Sequence, residues 1–316
     1  MTRDWPLVYV IVLNYDGGDH LEYSLPSIAA TDYPNYRIVV VDNGSREDPV
    51  PRVKELCPAA LAIRNASNLG WAGGNNVGIV AALEDGAEYV VLANNDVRVD
   101  PRWIRVAVGV AEREPRVGVI GFRVCEPEPG RGSWDAGFEN ARVSWRNVEL
   151  SNPRYVGGMA MFVRSELCRE IGLMDEGFFA YGEENDFQIR ARKAGYAVVA
   201  VNVPVWHHGQ ASFGKTPFRA SVLQTRHSIR LLLKHGTVLE VLRRGVRHVL
   251  RRVCRCAPIH RNGGVEERLQ PRSLALRIKI VLISVAWNLW VLPGTIRRRR
   301  HDDRLATAAW QRKAPK

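Results

Sequence analysis

Cysteine is scarce in this 316-residue chain, with five residues: Cys57, Cys125, Cys168, Cys254 and Cys256. The odd number and the lack of any CxxC spacing argue against a disulfide framework and a structural zinc site, and a reducing cytosol is the natural compartment. No secretory leader is visible: the first apolar run, Leu7–Leu13, lacks a cleavage site and reads as a strand. No GxGxxG and no GxxxxGKS/T occurs, so neither a dinucleotide fold nor a P-loop is supported. No uninterrupted apolar run reaches the roughly 20 residues that a membrane span needs. Ile280–Leu292 covers 13 residues, carries Asn288 within it, and is followed by Pro293-Gly294. No internal repeat is visible. Acidic residues thin out late in the chain. Residues 213–316 hold 24 Lys+Arg against 5 Asp+Glu, a net of +19, whereas residues 1–212 hold 21 against 28, a net of −7. The asymmetry predicts a slightly acidic catalytic body with an appended basic segment that meets an anionic partner.

An ordinary core is present, with 46% apolar residues. Strand-like and helix-like stretches alternate: strands at Leu7–Leu13, Arg37–Val41, Leu61–Arg64, Glu88–Leu92 and Val117–Phe122, and helices at His20–Ala30, Gly74–Leu83 and Pro101–Glu114. Alternation with near-continuous apolar strands predicts an α/β fold, a mostly parallel sheet with helices on both faces. Residues 126–154 are rich in Pro, Gly, Arg and Asn and read as loop with short antiparallel strands.

Several strand ends carry chemistry. The run Tyr89-Val90-Val91-Leu92 ends in Ala93-Asn94-Asn95-Asp96, oxygen ligands delivered to the carboxyl end of a strand, where open α/β sheets build nucleotide or metal sites. Asp96 offers a hard anionic oxygen suited to Mg²⁺ or Mn²⁺. Asp42 follows Ile38–Val41 in the same manner and can accept from a base N–H or a ribose hydroxyl; Asp-Asn-Gly-Ser is equally a good turn sequence. Asn68-Leu69-Gly70 through Gly73-Gly74-Asn75-Asn76 opens a helix, and its glycines and free amides could cradle a diphosphate. Gly182-Glu183-Glu184-Asn185-Asp186-Phe187 opens another, running to about Ala194. Three acids in four residues exceed what capping needs. Glu184 shares a face with Phe187 and Ala191, so it points towards a cleft, where a carboxylate with acidic neighbours has a raised pKa and can act as a base. Trp206-His207-His208-Gly209 follows the strand Ala197–Val201, and His207 is a candidate metal ligand or a structural histidine.

In this order the motifs resemble those of the family 2 glycosyltransferases of the GT-A fold, in their rhamnosyltransferase-like branch, over roughly residues 7–235. Val12-Leu13-Asn14-Tyr15-Asp16-Gly17 resembles the first strand and donor-site turn, and Val40–Ser45 the motif whose Asp contacts the base. Asn68-Leu69-Gly70 to Asn75-Asn76 resembles the branch's Asn-Leu-Gly, Gly-Gly-Asn segment. Asn94-Asn95-Asp96 sits at the Asp-x-Asp metal motif, with Asn94 in place of its first acid. Gly182–Asp186 sits at Glu-Asp-x-Asp, and His207–Ser212 is similar to the late His-x-Gly-x-x-Ser. The resemblance implies a GT-A sheet with a basic helical carboxyl-terminal extension, residues 1–215 forming the catalytic domain and 216–316 the extension. It implies inverting transfer from a nucleotide-sugar donor to a glycan or lipid-linked acceptor, in envelope polysaccharide synthesis. The implied donor residues are Asn14, Tyr15, Asp42, Asn43, Asn68, Gly70, Gly74, Asn75, Asn95 and Asp96. Asp96 and His207 would hold Mg²⁺ or Mn²⁺, Glu184 would be the base, and Gly157, Gly158, Glu183 and Asp186 would serve the acceptor or support the site.

Two other classes compete. A nucleotidyltransferase needs a basic residue at the α-phosphate, and no glycine-rich segment here carries one. A non-catalytic basic adaptor leaves the acidic motifs unexplained. Leu239–Val253 reads as an amphipathic helix, with Leu239, Leu242, Val246, Val249, Leu250 and Val253 on one side and Arg243, Arg244, Arg247, Arg251 and Arg252 around the remainder. It suits an anionic membrane surface, so the expected location is cytoplasmic, peripheral on the inner face of the plasma membrane, with Ile280–Leu292 interfacial, re-entrant or packed on the catalytic domain. No nucleic acid is expected as a partner.

Overall fold

The computed structural model describes residues 5–125, 147–208, 217–254 and 273–313. Its strands are β1 (Val8–Asn14), β2 (Tyr36–Asp42), β3 (Leu61–Arg64), β4 (Tyr89–Asn94), β5 (Val97–Val99), β6 (Val117–Cys125), β7 (Leu150–Ser151), β8 (Ala160–Arg164) and β9 (Ala197–His207). Its helices are α1 (Gly18–Ala29), α2 (Val50–Leu56), α3 (Gly70–Glu84), α4 (Trp103–Arg113), α5 (Ser165–Ile171), α6 (Glu183–Lys193), α7 (Pro217–His235), α8 (Val238–Cys254) and α9 (Leu274–Lys313). One sheet runs β3-β2-β1-β4-β8-β6-β9-β5, with β7 beside β9.

The half that carries the strand-end motifs is parallel, β3-β2-β1-β4 in register. Its β1, β2 and β4 are almost wholly buried on both faces, as their unbroken apolar runs require. The other half departs from the mostly parallel expectation: the sheet is mixed. Here β8 runs antiparallel to β4 and β6, and β5 and β7 antiparallel to β9. Only Asn95 and Asp96 separate β4 from β5, which lies at the far edge of the sheet. That tight link turns the chain at Asp96 and pairs Val97 with His207.

Helix α3 packs unusually close to the sheet. A Cβ on Gly78 would meet Ile11 Cγ2 at 2.4 Å, and one on Gly74 would meet Leu13 Cδ1 at 2.5 Å. On the same side of the molecule α9 packs along α7 and against α5, α6 and α8.

Helix α9 corrects a second expectation. Pro293-Gly294 does not end it. It runs unbroken for 40 residues, about 60 Å at 1.5 Å per residue. Side chains secure its inner face to α7 on both sides of the proline: Asn288 Nδ2 donates to Arg226 O (2.9 Å), Arg230 to Thr295 Oγ1 (3.1 Å), and Arg299 to Gly236 O (2.8 Å). The outer face is apolar and uncovered, Trp290 at 80% exposure and Leu289 at 66%. By length and composition α9 could cross a bilayer. As folded, its polar inner face is committed to α7. The apolar side of α8, formed by Leu239, Leu242, Val246 and Leu250, is also uncovered.

Candidate active site

The carboxyl ends of β1, β2 and β4 converge. Asn14, the last residue of β1, donates through Nδ2 to Asp42 Oδ1 (3.2 Å) and accepts at Oδ1 from Asn95 Nδ2 (2.7 Å). Asp42 also accepts from the hydroxyl and the backbone N–H of Ser45, and Arg64 Nε lies 3.3 Å from its Oδ2. All four of Asn14, Asp42, Asn95 and Asp96 are buried. Asn95 also reaches Gly17 O (3.3 Å), where the chain comes so close that a Cβ on Gly17 would lie 2.2 Å from Asn95 Nδ2. Tyr15 is 36% exposed beside this network.

Asp96 lies at the floor of a histidine cluster. His207 Nε2 is 3.4 Å from Asp96 Oδ1, the backbone N–H of His208 donates to Asp96 O, and the His20 ring lies 5.2 Å from that of His208. Burial pushes the Asp96 carboxyl up, but His207, with His20 and His208 behind it, outweighs burial and holds it below the usual range. Burial drives the His208 imidazole down to about 4. Asp96 Oδ1 and His207 Nδ1 are buried with no hydrogen-bond partner. A buried carboxylate oxygen lacking a donor, beside an imidazole nitrogen, is a donor set that fits a divalent cation. The rest of the late motif, residues 209–212, lies outside the described residues.

The glycine segment serves differently from expectation. Asn43 uses its whole amide on it: Nδ2 donates to Asn68 Oδ1 (3.1 Å) and Gly70 O (2.9 Å), and Oδ1 accepts from Asn65 Nδ2 and Leu69 N, both at 3.1 Å. The Gly70 N–H is taken by Asn68 Oδ1 and the Trp71 N–H by Phe179 O. Gly70 needs its left-handed backbone (φ +77°), and a Cβ there would meet Phe179 O at 2.3 Å. Gly74 is packed against Leu13 and Asn43, and Asn75 Nδ2 returns to Trp71 O (2.8 Å). The first two amides of α3 are therefore spent internally, and Gly70 and Gly74 make close packing.

That packing presents Trp71, the second residue of α3, to which the sequence pattern assigns no role. Its Nε1 donates to Asn94 Oδ1 (3.0 Å). The far edge of its ring lies 3.0 Å from where a Gly158 Cβ would stand, with Glu184 Cβ 3.5 Å from the same point. Asn94 N–H donates to Met159 O. Trp71 thus joins the β4 end, the Gly157-Gly158 strip and Glu184. Gln188, one turn beyond Glu184 and fully buried, clamps Val156 with two 2.8 Å bonds, to its N–H and its carbonyl. Its spacing from Glu184 was visible in the sequence, but its partner was not.

The turn into α6 is strained. Tyr181 (φ +69°) and Asp16 (φ +47°) are the two non-glycine residues with positive φ among those described, and each borders the cleft. Glu184 is half-buried, its Oε2 accepting from Gly182 N–H (3.1 Å), and burial raises its pKa. Glu183 is buried deeper with Oε2 unpartnered. Burial, then the Glu184 charge, pushes it well above the carboxylate range. Asp186, expected to serve the acceptor or support the site, is fully buried and ion-paired. It sits in a buried cluster with Asp175 and Asp302, whose carboxylates lie within 4.8 Å of one another. Lys234 Nζ occupies the centre, 2.7, 2.6 and 2.7 Å from Asp175, Asp186 and Asp302. Burial opposes ionisation of Asp186, but Arg190, His235 and Lys234 prevail and hold it well below the usual range. The three carboxylates could hold a cation, and an ammonium already fills that place.

Buried polar side chains at the carboxyl ends of parallel strands, with Glu184 of α6 across Trp71 from the β4 end, form the candidate site. Residues 9–169 match the family model described as glycosyl transferase family 2, and the chain belongs to that family. It is 26% identical over 253 residues to an N-acetylglucosaminyl-diphospho-decaprenol L-rhamnosyltransferase of Mycobacterium tuberculosis, covering 69% of this chain and 80% of the relative. It is 33% identical over 199 residues to the galactofuranosyltransferase GlfT1 of the same species, covering 60% and 65%. In fold it is similar to a mannosyltransferase of Pyrobaculum calidifontis solved with GDP-Man and Mn²⁺ (TM-score 0.54, 16% identity, 99% of this chain and 89% of that one). It is likewise similar to residues 1–349 of Staphylococcus aureus TarS (TM-score 0.53, 16% identity, 96% and 90%). The fold is GT-A, and the protein is a nucleotide-sugar glycosyltransferase.

Proposed function

We propose that this enzyme transfers a deoxyhexose, rhamnose by its likeness to the mycobacterial rhamnosyltransferase, from a nucleotide diphosphate sugar to a lipid-linked acceptor at the cytoplasmic membrane surface. The observation that carries the reading is that Asn14 and Asn95 tie Asp42 to the segment carrying Asp96 and His207, while Trp71 spans from Asn94 at the β4 end to the strip beside Glu184. Asp42, steadied by Asn14 and Ser45, accepts from the donor's base or ribose. Asp96 and His207 would hold Mg²⁺ or Mn²⁺, which when bound neutralises the charge developing on the departing diphosphate. Asn14 and Asn95 keep Asp96's strand end in place, and Asn43, Asn68 and Gly70 keep Trp71 in place. Glu184 takes the proton from the acceptor hydroxyl as that oxygen attacks the anomeric carbon from the face opposite the diphosphate, which gives inversion. Burial favours the neutral form of Glu183, which limits a second negative charge beside the base. One carboxylate suffices because the leaving diphosphate needs no acid.

In this reading residues 1–215 hold the donor site and residues 216–316 the membrane-docking part. The uncovered apolar sides of α8 and α9, with Arg243, Arg247 and Arg297 nearby, would rest in the headgroup layer without spanning it. The test is a panel of nucleotide sugars with Mn²⁺. Slow release of nucleoside diphosphate from one donor, and faster release with a prenyl-linked sugar acceptor, is expected. Release of pyrophosphate, or silence with every donor, would overturn the reading.

A further inference from the structure

Helix α7 carries two arginines that the mechanism above does not use. Arg226 lies 4.1 Å over the ring of Trp287 in α9, and Arg219 lies 5.5 Å over the ring of Phe179. Among the described residues neither is in an ion pair, in contrast to Arg230, which binds Asp175 at 3.2 Å. Burial, then the like charges of Arg230 and Arg219, holds the Arg226 guanidinium below its usual range. Two neighbouring guanidiniums lacking a counter-charge would be relieved by an anion.

Their surroundings give that anion an address. On one side they adjoin the turn that precedes the base. His227, next to Arg226, accepts from Arg226 Nε at Nε2 (3.1 Å) and donates from Nδ1 to Ala180 O (2.6 Å), in the strained turn that leads to Glu184. Phe179, beneath Arg219, holds the Trp71 N–H. On the other side they adjoin the uncovered apolar stripe, since Trp287 is one helical turn from Ile283 and Trp290, both exposed. Apolar surface, then two cations, then a general base is the order of groups in an amphiphile whose phosphate joins a hydrocarbon tail to a sugar.

We infer that Arg219 and Arg226 bind the phosphate or diphosphate of such a lipid-linked acceptor and set its hydroxyl near Glu184. The inference rests on the glycosyltransferase reading and adds the substrate's linking group to it. Guanidinium contacts to phosphate are charge-assisted, and losing them weakens binding roughly 10- to 100-fold.

Calorimetry on the full chain, in EDTA so that no divalent ion bridges phosphate to Asp96, uses farnesyl diphosphate, farnesol and dihexanoyl phosphatidylglycerol as probes. The wild type should bind farnesyl diphosphate at least about tenfold more tightly than farnesol. In Arg219→Gln/Arg226→Gln that gap should close while farnesol affinity is kept, which also shows the variant folded, and Arg226→Lys should restore part of it. A gap that persists in the double variant, or none in the wild type, overturns the inference. If phosphatidylglycerol shows the same arginine dependence as farnesyl diphosphate, the arginines serve bulk headgroups and the acceptor assignment is overturned. Failure of the wild type to release nucleotide from any donor sinks instead the reading on which the inference rests.

Discussion

Replacing Lys234 tests whether the cluster beneath the base is held by an ammonium. Its Nζ is fully buried among Asp175, Asp186 and Asp302, with Arg190 on Asp186 at 2.9 Å and Arg230 on Asp175 at 3.2 Å as outer support. Lys234→Ala leaves three buried carboxylates facing one another. Breaking a buried ion pair costs about 3–5 kcal/mol, because the surviving charge stays desolvated and unmatched. At roughly 2–4 °C per kcal/mol this is a fall of about 6–20 °C in the melting temperature. The variant should acquire a property the wild type lacks at this place. With the ammonium gone, carboxylates within 4.8 Å form a hard-oxygen cage, and Ca²⁺ should bind there. At a hundredfold excess over its dissociation constant the ion would return about 2.7 kcal/mol. Lys234→Met, which fills the space without charge, should melt low and respond less. The assay is differential scanning fluorimetry with and without millimolar Ca²⁺, the wild type's own increment being subtracted. A Lys234→Ala protein that melts within about 2 °C of wild type, or that gains no more from Ca²⁺ than wild type does, would refute the reasoning.

Other outcomes follow from the same geometry. Glu184→Gln should cut turnover by about 10²–10⁴ with donor affinity nearly kept, whereas Glu183→Gln, an isostere of an acid whose neutral form burial favours, should stay within about threefold of wild type; equal losses in both would remove Glu184 from its role. Because burial raises the pKa of Glu184 and the base must be ionised, kcat should fall with decreasing pH through a limb above the ordinary carboxylate value of about 4.3, and a limb at or below it would contradict the burial argument. Asp96→Ala should weaken Mn²⁺ binding read by electron paramagnetic resonance as well as donor binding, and unchanged Mn²⁺ affinity would place the ion elsewhere. Anionic vesicles should co-sediment the enzyme and release it in high salt, while neutral vesicles should recover little; salt- and carbonate-resistant recovery with both would mean that α9 spans the bilayer.

The strand ends were legible because a parallel strand is apolar throughout and then stops. Asp42 ends β2, paired with Asn14 of β1, and Asp96 follows two residues after the end of β4, whose Asn94 pairs with Leu13. Glu184 was legible from a crowd of acids at a helix start. What the sequence could not disclose was which polar groups are consumed by other polar groups. Asn43, Asn68 and the first amides of α3 look like ligand-binding groups in one dimension, and their hydrogen bonds are spent holding a turn. Asp186 looked like a neighbour of the base, but its partners Lys234 and His235 lie 48 and 49 residues away. The antiparallel half was hidden for a related reason. Short strands such as Val97–Val99 and Ala160–Arg164 become strands only through pairing with distant β9, β4 and β6. Pro293 suggested a stop, and tertiary anchoring of α9 on α7 overrode it.

Asn94, which stands where the Asp-x-Asp motif has its first acid, has a physical account in these contacts. Its side-chain oxygen accepts the Trp71 indole N–H, and its backbone N–H is fixed by Met159. A carboxylate could accept the same bond, but it would add a second negative charge two residues from Asp96, which is buried and offset only by histidines. Asparagine keeps the acceptor and leaves out the charge. The position has therefore become part of the support for the tryptophan wall, which fits a site where Asp96 and the imidazole of His207 carry the cation. Asn94→Asp should consequently keep Trp71 in place, judged by an unchanged indole emission maximum, yet raise Mn²⁺ affinity by adding an anionic oxygen nearby. A shifted emission maximum with unchanged Mn²⁺ affinity would show that the residue acts on the tryptophan alone.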